Sequence, residues 1–402
     1  MPDLNIAIVG AGIGGLASAA FLARAGHRVT VFDRFEAPRP VGSGLVIQPV
    51  GLGVLDTVGL GGAARALGAP IRALEGYEAG NGLRVLDVGY GGDPDDVALA
   101  IHRASLFGLL LGAARTAGAR IVTGAEVASA PLRGGGRALA FGTGTTEGPF
   151  DLVVDASGAG SVLSPLRARP LPFGAIWGTV PWPEGTDLAP DRLHQRYRRA
   201  DRMVGILPIG RLPDDPAPLA TVFWSLPASS HAAWAAAPLA GWKAEATALW
   251  PGIAPFLAAI HGHDQMTMAR YGHGTLARPF AERLAIIGDA AHRTSPQLGQ
   301  GANMALLDAA ALARALAGHG PEAAPAHYAR LRRWHLWLYQ ATSRALTPQY
   351  QSESVLLPVL RDRLLAPLAR MPPLPAILTR LVRGDLIPPI RGTARPWPPL
   401  RA

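Results

Sequence analysis

The apolar run Leu4–Val9 opens directly onto Gly10-Ala11-Gly12-Ile13-Gly14-Gly15. A short run of this kind reads as a buried parallel strand. The glycines at 10, 12 and 15 follow with the G-x-G-x-x-G spacing. The first permits a tight turn, the second lets a diphosphate approach the backbone, and the third lets a helix pack close to the strand. The spacing predicts a helix over 13–25, whose N-terminus favours an anion. Gly26 ends it, residues 27–32 read as a second strand, and Asp33 follows roughly 20 residues after the glycines, placed to accept hydrogen bonds from a ribose. A lone glycine fingerprint carries little weight in a chain with 48 glycines. Strand, turn, helix, strand and acid in this order carry much more, and they point to a dinucleotide. The motif alone leaves open which one.

A second segment narrows the choice. Residues 282–289 read as another buried strand ending in Gly288-Asp289, followed by Pro296, Gly299-Gln300-Gly301, Ala302 and Asn303. Asp289 then sits at the carboxyl end of a strand, where open α/β sheets bind ligands. The glycines let loop amides approach a flat ring, and a helix from Gly301 onward favours negative charge at its start.

Together these segments resemble the flavin core of the p-hydroxybenzoate hydroxylase-like family, the single-component FAD-dependent aromatic hydroxylases. Two further stretches fit. Residues 41–49, Val-Gly-Ser-Gly-Leu-Val-Ile-Gln-Pro, resemble the family's segment beside the flavin, and Arg103-Ala104-Ser105-Leu106 its R-x-x-L helix start. Glu126-Val127 follows a strand where the family's backbone meets adenine. The resemblance implies an α/β fold: a discontinuous Rossmann-like FAD-binding domain (1–72, 98–165, 275–325), an antiparallel-sheet substrate domain (73–97, 166–274), a C-terminal helical region (326–390) and a loosely ordered tail (391–402). It implies non-covalent FAD contacted by Gly10, Gly12, Gly14, Gly15, Asp33, Arg34, Arg103, Val127, Asp289, Pro296, Gly299, Gly301, Ala302 and Asn303. It also implies reduction by NADPH or NADH, reaction with O2, and a flavin hydroperoxide that oxygenates an aromatic or polyketide-like small molecule.

The match breaks at one place. Where the family carries a segment close to DLVVGADGxxSxVR, this chain reads Asp151-Leu-Val-Val-Asp155-Ala-Ser157-Gly158, with Ser164 at the closing arginine. A hydroxyl is a weaker acceptor than a carboxylate. The exchange leaves open an alternative: a flavoprotein reduced by a partner flavin reductase, or one acting redox-neutrally as a cyclase or isomerase. The halogenase W-x-W-x-I-P pattern is missing; its nearest stretch, Met203–Pro208, lacks both tryptophans. A non-enzymatic flavin store has little need of the ring-side loop.

No general base stands out for the chemistry. Tyr197 and the carbonyl of Pro296 are the candidates to polarise a phenolic substrate. Gln195, Tyr197 and Phe223, with Trp177 and Trp224 behind them, are the candidate substrate contacts, although plain sheet packing is the commoner role for any one aromatic. Strand alternation sets Gln195 and Tyr197 opposite His194 and Arg196; which pair faces the flavin is open at this level. His292 reads as a structural histidine.

Composition bounds the rest. The 402 residues suit two domains. With no cysteine there is no disulfide, thiolate site or sulfur-linked flavin, and no metal-ligand spacing occurs. The net charge of +9 comes from scattered arginines without a nucleic-acid-binding signature. The start lacks a leader's basic region, so a cytoplasmic enzyme is the expectation. The leucines of 354–383 suggest a surface helix, but Pro358, Pro367, Pro372 and Pro373 break it. Packing on the body, without membrane contact, is the expectation there.

Overall fold

The computed structural model describes residues 3–36, 43–91 and 97–392. The expected flavin-side positions 41–42 and the tail from 393 lie outside the described residues. Six strands form one sheet in the order Phe280–Ala281, Leu284–Ile286, Leu152–Asp155, Asn5–Val9, Arg28–Phe32, Arg120–Val122. All neighbours are parallel except at the Phe280–Ala281 edge. Leu284–Ile286 pairs with Val153–Asp155, which pairs with Ala7–Val9. The two motifs, far apart in sequence, therefore end side by side at the carboxyl edge of one sheet.

Helices Ile13–Arg24 and Gly301–Gly318 cross closely over this sheet. A Cβ on Gly14 would lie 3.3 Å from the Ala305 Cβ, so the small residue sets the approach. Leu16, Leu306 and Leu312 are fully buried between the layers, each stabilising the fold by about 1.5–3 kcal/mol.

A second sheet has eight strands in the order His292–Arg293, Met266–Thr275, Arg169–Pro181, Leu219–Pro227, Arg202–Pro208, Arg192–Arg198, Ala73–Glu78, Arg84–Gly89. Its pairs are antiparallel except Arg192–Arg198 with Ala73–Glu78. Alternation divides its faces. Ile176, Val204, Val222 and Trp224 pack beneath the helices Leu239–Leu249 and Ala254–Ala258, against Trp242 and Phe256. Trp224 is therefore a core residue and leaves the list of substrate contacts. The opposite face turns to the nucleotide-binding layer: Ser43 Oγ lies 2.7 Å from Thr179 Oγ1 and 2.6 Å from Thr221 Oγ1, and the Gly44 N–H donates to Thr221 Oγ1 at 2.9 Å.

The helix Ala324–Tyr350 closes the molecule, with Pro348 tolerated in its last turn. Short helical segments continue to Arg383. No helix among the described residues is long and apolar enough to cross a membrane.

Candidate cofactor and substrate site

A cavity of about 280 Å³ opens at the carboxyl edge of the six-stranded sheet. Its floor is the glycine turn, where Gly10 takes φ +102°, a conformation costly for any residue with a Cβ. A Cβ on Gly15 would overlap the Gly10 carbonyl oxygen, while one on Gly12 would meet nothing within 4 Å. Gly15 thus serves helix–strand packing, and Gly12 leaves the floor open to a ligand. Asp33 lines the cavity and also braces the turn: its Oδ2 accepts from the Ala11 N–H at 2.6 Å and its Oδ1 from the Phe35 N–H at 3.0 Å. Arg34, Glu126 and Val127 form the walls.

Arg103 begins the helix Arg103–Thr116 and reaches the same cavity. Its Nε is buried without a hydrogen-bond partner. A buried guanidinium N–H left unpaired costs free energy, so this atom marks where an acceptor belongs. Burial pulls its pKa down, with Asp289 and Tyr271 countering; an arginine still keeps its charge. Arg103 thereby links the cavity to the second motif. Asp289 itself is exposed on the turn Gly288–Ala290.

In the loop beyond, Pro296–Leu298 form a short turn closed by Gly299 at φ +60°. The Pro296 carbonyl already accepts the Gly299 N–H at 2.8 Å, leaving one lone pair for any further partner. Asn303 is fully buried. Its Oδ1 accepts from the Gln48 N–H at 2.8 Å, and its Nδ2 donates to Val46 O at 3.1 Å and Gly299 O at 2.9 Å. Both amide protons go to protein, so Asn303 ties the Gly44–Ile47 strand to the loop instead of contacting a ligand through that amide. Gly301 and Ala302 open the helix at this point.

The inner sheet face brings Gln195, Tyr197 and Phe223 to one side. Phe223 stacks on Trp177 with ring centroids 4.7 Å apart. Tyr197 is sealed against Tyr350 and beneath Arg361, and its hydroxyl donates to Gln195 Oε1 at 2.9 Å. Burial and Tyr350 hold its pKa well above the usual value. With its proton committed, Tyr197 is a packing residue and not the polarising group expected from sequence. A residue unseen in the sequence fits better. Tyr271, on the Met266–Thr275 strand, accepts the Trp177 Nε1–H at 2.9 Å. Burial raises its pKa, against the pull of Trp177 and Arg103, so it stays protonated with a proton to donate.

Two buried polar clusters support these walls. Asp155, wholly buried, accepts at Oδ1 from Ser157 Oγ at 2.5 Å and Ser157 N–H at 3.1 Å, and at Oδ2 from Ser161 Oγ at 2.5 Å. Ser164 Oγ continues to the Ala290 carbonyl at 2.6 Å. Behind the Asp289 turn, Asp308 accepts from the Gly288 N–H at 3.0 Å and from Arg332 Nε at 2.8 Å, and lies 2.5 Å from His292 Nε2. Burial alone would raise Asp308, but His292 and Arg332 overcome it and hold its pKa to about 2. His292 is structural, as read from sequence.

Residues 3–148 and 241–338 match the family model described as "FAD binding domain". The chain is 30% identical over 395 residues to the 2-heptyl-3-hydroxy-4(1H)-quinolone synthase of Mycobacteroides abscessus, covering 90% of this chain and 94% of that one. It is 29% identical over 362 residues to the 3-amino-4-hydroxybenzoate 2-monooxygenase of Streptomyces cremeus, covering 82% and 83%. The chain belongs to the FAD-dependent aromatic hydroxylases. Its fold matches Klebsiella pneumoniae HpxO, solved with FAD and uric acid, at a TM-score of 0.79 and 20% identity over 94% of this chain and 97% of that one. This FAD-dependent hydroxylase fits its cofactor on its own terms: an open glycine floor, an unpaired Arg103 Nε and a helix N-terminus meet in one cavity. In the Asp155–Gly158 segment Ser157 lines the cavity, while Asp155 is buried behind it and accepts from Ser157 and Ser161.

Proposed function

We propose that this FAD-dependent oxidoreductase takes electrons from NADPH or NADH and inserts one oxygen atom of O2 into an aromatic or polyketide-like small molecule. The observation that carries the reading is the line Arg103–Tyr271–Trp177, which joins the nucleotide cavity to the aromatic sheet face. It is supported by the names of the relatives, which hydroxylate or form a quinolone and an aminohydroxybenzoate.

Bound FAD supplies electron transfer and oxygen activation; the protein's residues supply everything else. The glycine turn and the first helix N-terminus would hold the diphosphate, with Arg103 as a charged donor. Asn303 and the Ser43–Thr221 contact fix the spacing between loop and sheet. The Trp177–Phe223 stack offers an apolar wall that orients a flat substrate and excludes water. Tyr271 Oη holds a proton beside that wall. The partner-reduced alternative rests on Ser157, which lines the cavity in place of a carboxylate; the monooxygenase among the relatives favours the main reading.

The test is turnover of FAD-loaded protein with NADPH or NADH, isotopically labelled O2 and a panel of phenols, aminobenzoates and quinolones. A product carrying the label supports the proposal. Flavin reduced only when a flavin reductase is added would favour the alternative.

A further inference from the structure

Fifteen large hydrophobic side chains are exposed among the described residues, and ten of them lie between Val355 and Ile377. They are not scattered. Leu356, Leu360, Leu364 and Leu368 recur every four residues along the helical stretch Leu356–Leu368, at 71%, 40%, 48% and 39% exposure. Met371 and Ile377 carry the surface onward, at 58% and 39%.

The orientation is the reverse of ordinary docking. The segment does lie on the body, as expected from sequence, but it is anchored largely through polar groups. Ser352 N–H donates to Ala200 O at 3.0 Å, and buried Arg361 donates to the carbonyls of Arg199 at 3.1 Å and Gln349 at 2.8 Å. Arg370 reaches Arg84 O at 2.7 Å, and Thr379 reaches Gly89 O at 2.8 Å. With the polar groups turned in, most of the leucines turn out. Water gains nothing from such an arrangement, so its stable form has an apolar phase outside.

Charge chooses the phase. The only acid between Val355 and Arg383 is Asp362, which is held by Arg361 at 2.6 Å. The exposed charges in the stretch are Arg363, Arg370 and Arg380. A second copy would set these arginines against like charge, in a chain already at +9. An anionic bilayer offers both an apolar interior for the leucines and counter-charge for the arginines. We propose that the Val355–Ile377 surface seats the protein on anionic lipid bilayers. The segment packs on the Arg84–Gly89 edge strand of the eight-stranded sheet, so seating places the substrate-side layer next to the lipid. The proposal is independent of which substrate is oxygenated.

The experiment is co-sedimentation of the full-length FAD-loaded protein with vesicles of phosphatidylcholine alone and of phosphatidylcholine with phosphatidylglycerol. Analytical ultracentrifugation accompanies it. Protein is expected to pellet with the anionic vesicles and to release as salt is raised. The variant L356Q/L364Q/M371Q changes only exposed side chains, so it should keep its melting temperature and its flavin while binding vesicles at least tenfold less. R363Q should lower binding to the anionic vesicles only. Three results overturn the proposal: no pelleting with anionic vesicles, equal pelleting of the triple variant, or a wild-type dimer that the triple variant converts to monomer.

Discussion

Arg103 reaches the cavity with an unpaired Nε and Asp289 is exposed on its turn, which separates them from the internally bonded Asn303 and Tyr197. Arg103→Ala removes the unpaired Nε donor. A hydrogen bond to a charged group is worth about 1.5–3 kcal/mol, so the FAD Kd should rise by about tenfold or more, read by fluorescence titration. Asp289→Ala should also weaken FAD while leaving the apoprotein's melting temperature unchanged; undiminished flavin retention would remove it from the site. Tyr197→Phe deletes a buried bond to Gln195. It should cost about 1 kcal/mol of stability and leave the pH profile of turnover unmoved. Tyr271→Phe should lower kcat more than it raises KM. The sequence set Tyr197 on one face with Gln195, left open which face looks inward, and had no means to see that Tyr350 and Arg361 would seal it. Tyr271 was missed because residues 266–275 lack a clean two-residue alternation, and its partner Trp177 is 94 positions away.

Among the elements, the strand–turn–helix at the N-terminus was the most legible, because each glycine answers to a separate steric demand. Those demands predict unequal outcomes. Gly12→Ala has room in the protein and should fold normally yet bind FAD more weakly. Gly15→Ala collides with the Gly10 carbonyl and should lose folded protein before binding is measurable; circular dichroism of the two apoproteins distinguishes them. The Asp155–Ser164 loop was legible as an anomaly but not as a solution. Asp155 is buried there and braces the loop by accepting from Ser157 and Ser161, an arrangement that depends on how the chain turns after the strand. Asp155→Asn weakens the bonds that hold Ser157 and Ser161 and should cost about 1–3 kcal/mol of stability, read by thermal melting.

For the whole molecule, strand pairing joins the N-terminal motif to the second one, and buried charge ties the C-terminal segment to the helix behind that second motif. Arg332 bonds Asp308 and the Pro389 carbonyl, and lies 3.2 Å from His335. His335 Nε2 lies 2.8 Å from Gly384 O. Burial and then Arg332 hold the His335 pKa down to about 3. Because the unfolded chain takes up this proton near pH 6.5 and the folded one does not until about pH 3, His335 contributes its stability above 6.5. That stability is lost as pH falls from 6.5 toward 3, by at most about 5 kcal/mol. His335→Gln should flatten the decline in melting temperature over that window. The order of motifs announced a discontinuous nucleotide-binding layer, yet these tertiary pairs carry no local signal and emerged only with the fold.

Turnover depends on one coupling, between a nicotinamide donor and the flavin of this chain. The direct measurement is anaerobic absorbance of FAD-loaded protein on adding NADPH and then NADH, with a panel of aromatic compounds present, followed by admission of air. The flavin should bleach with one nucleotide and reoxidise with air as an oxygenated product forms. Flavin that stays oxidised with both nucleotides and every aromatic, yet bleaches with dithionite, would contradict that coupling.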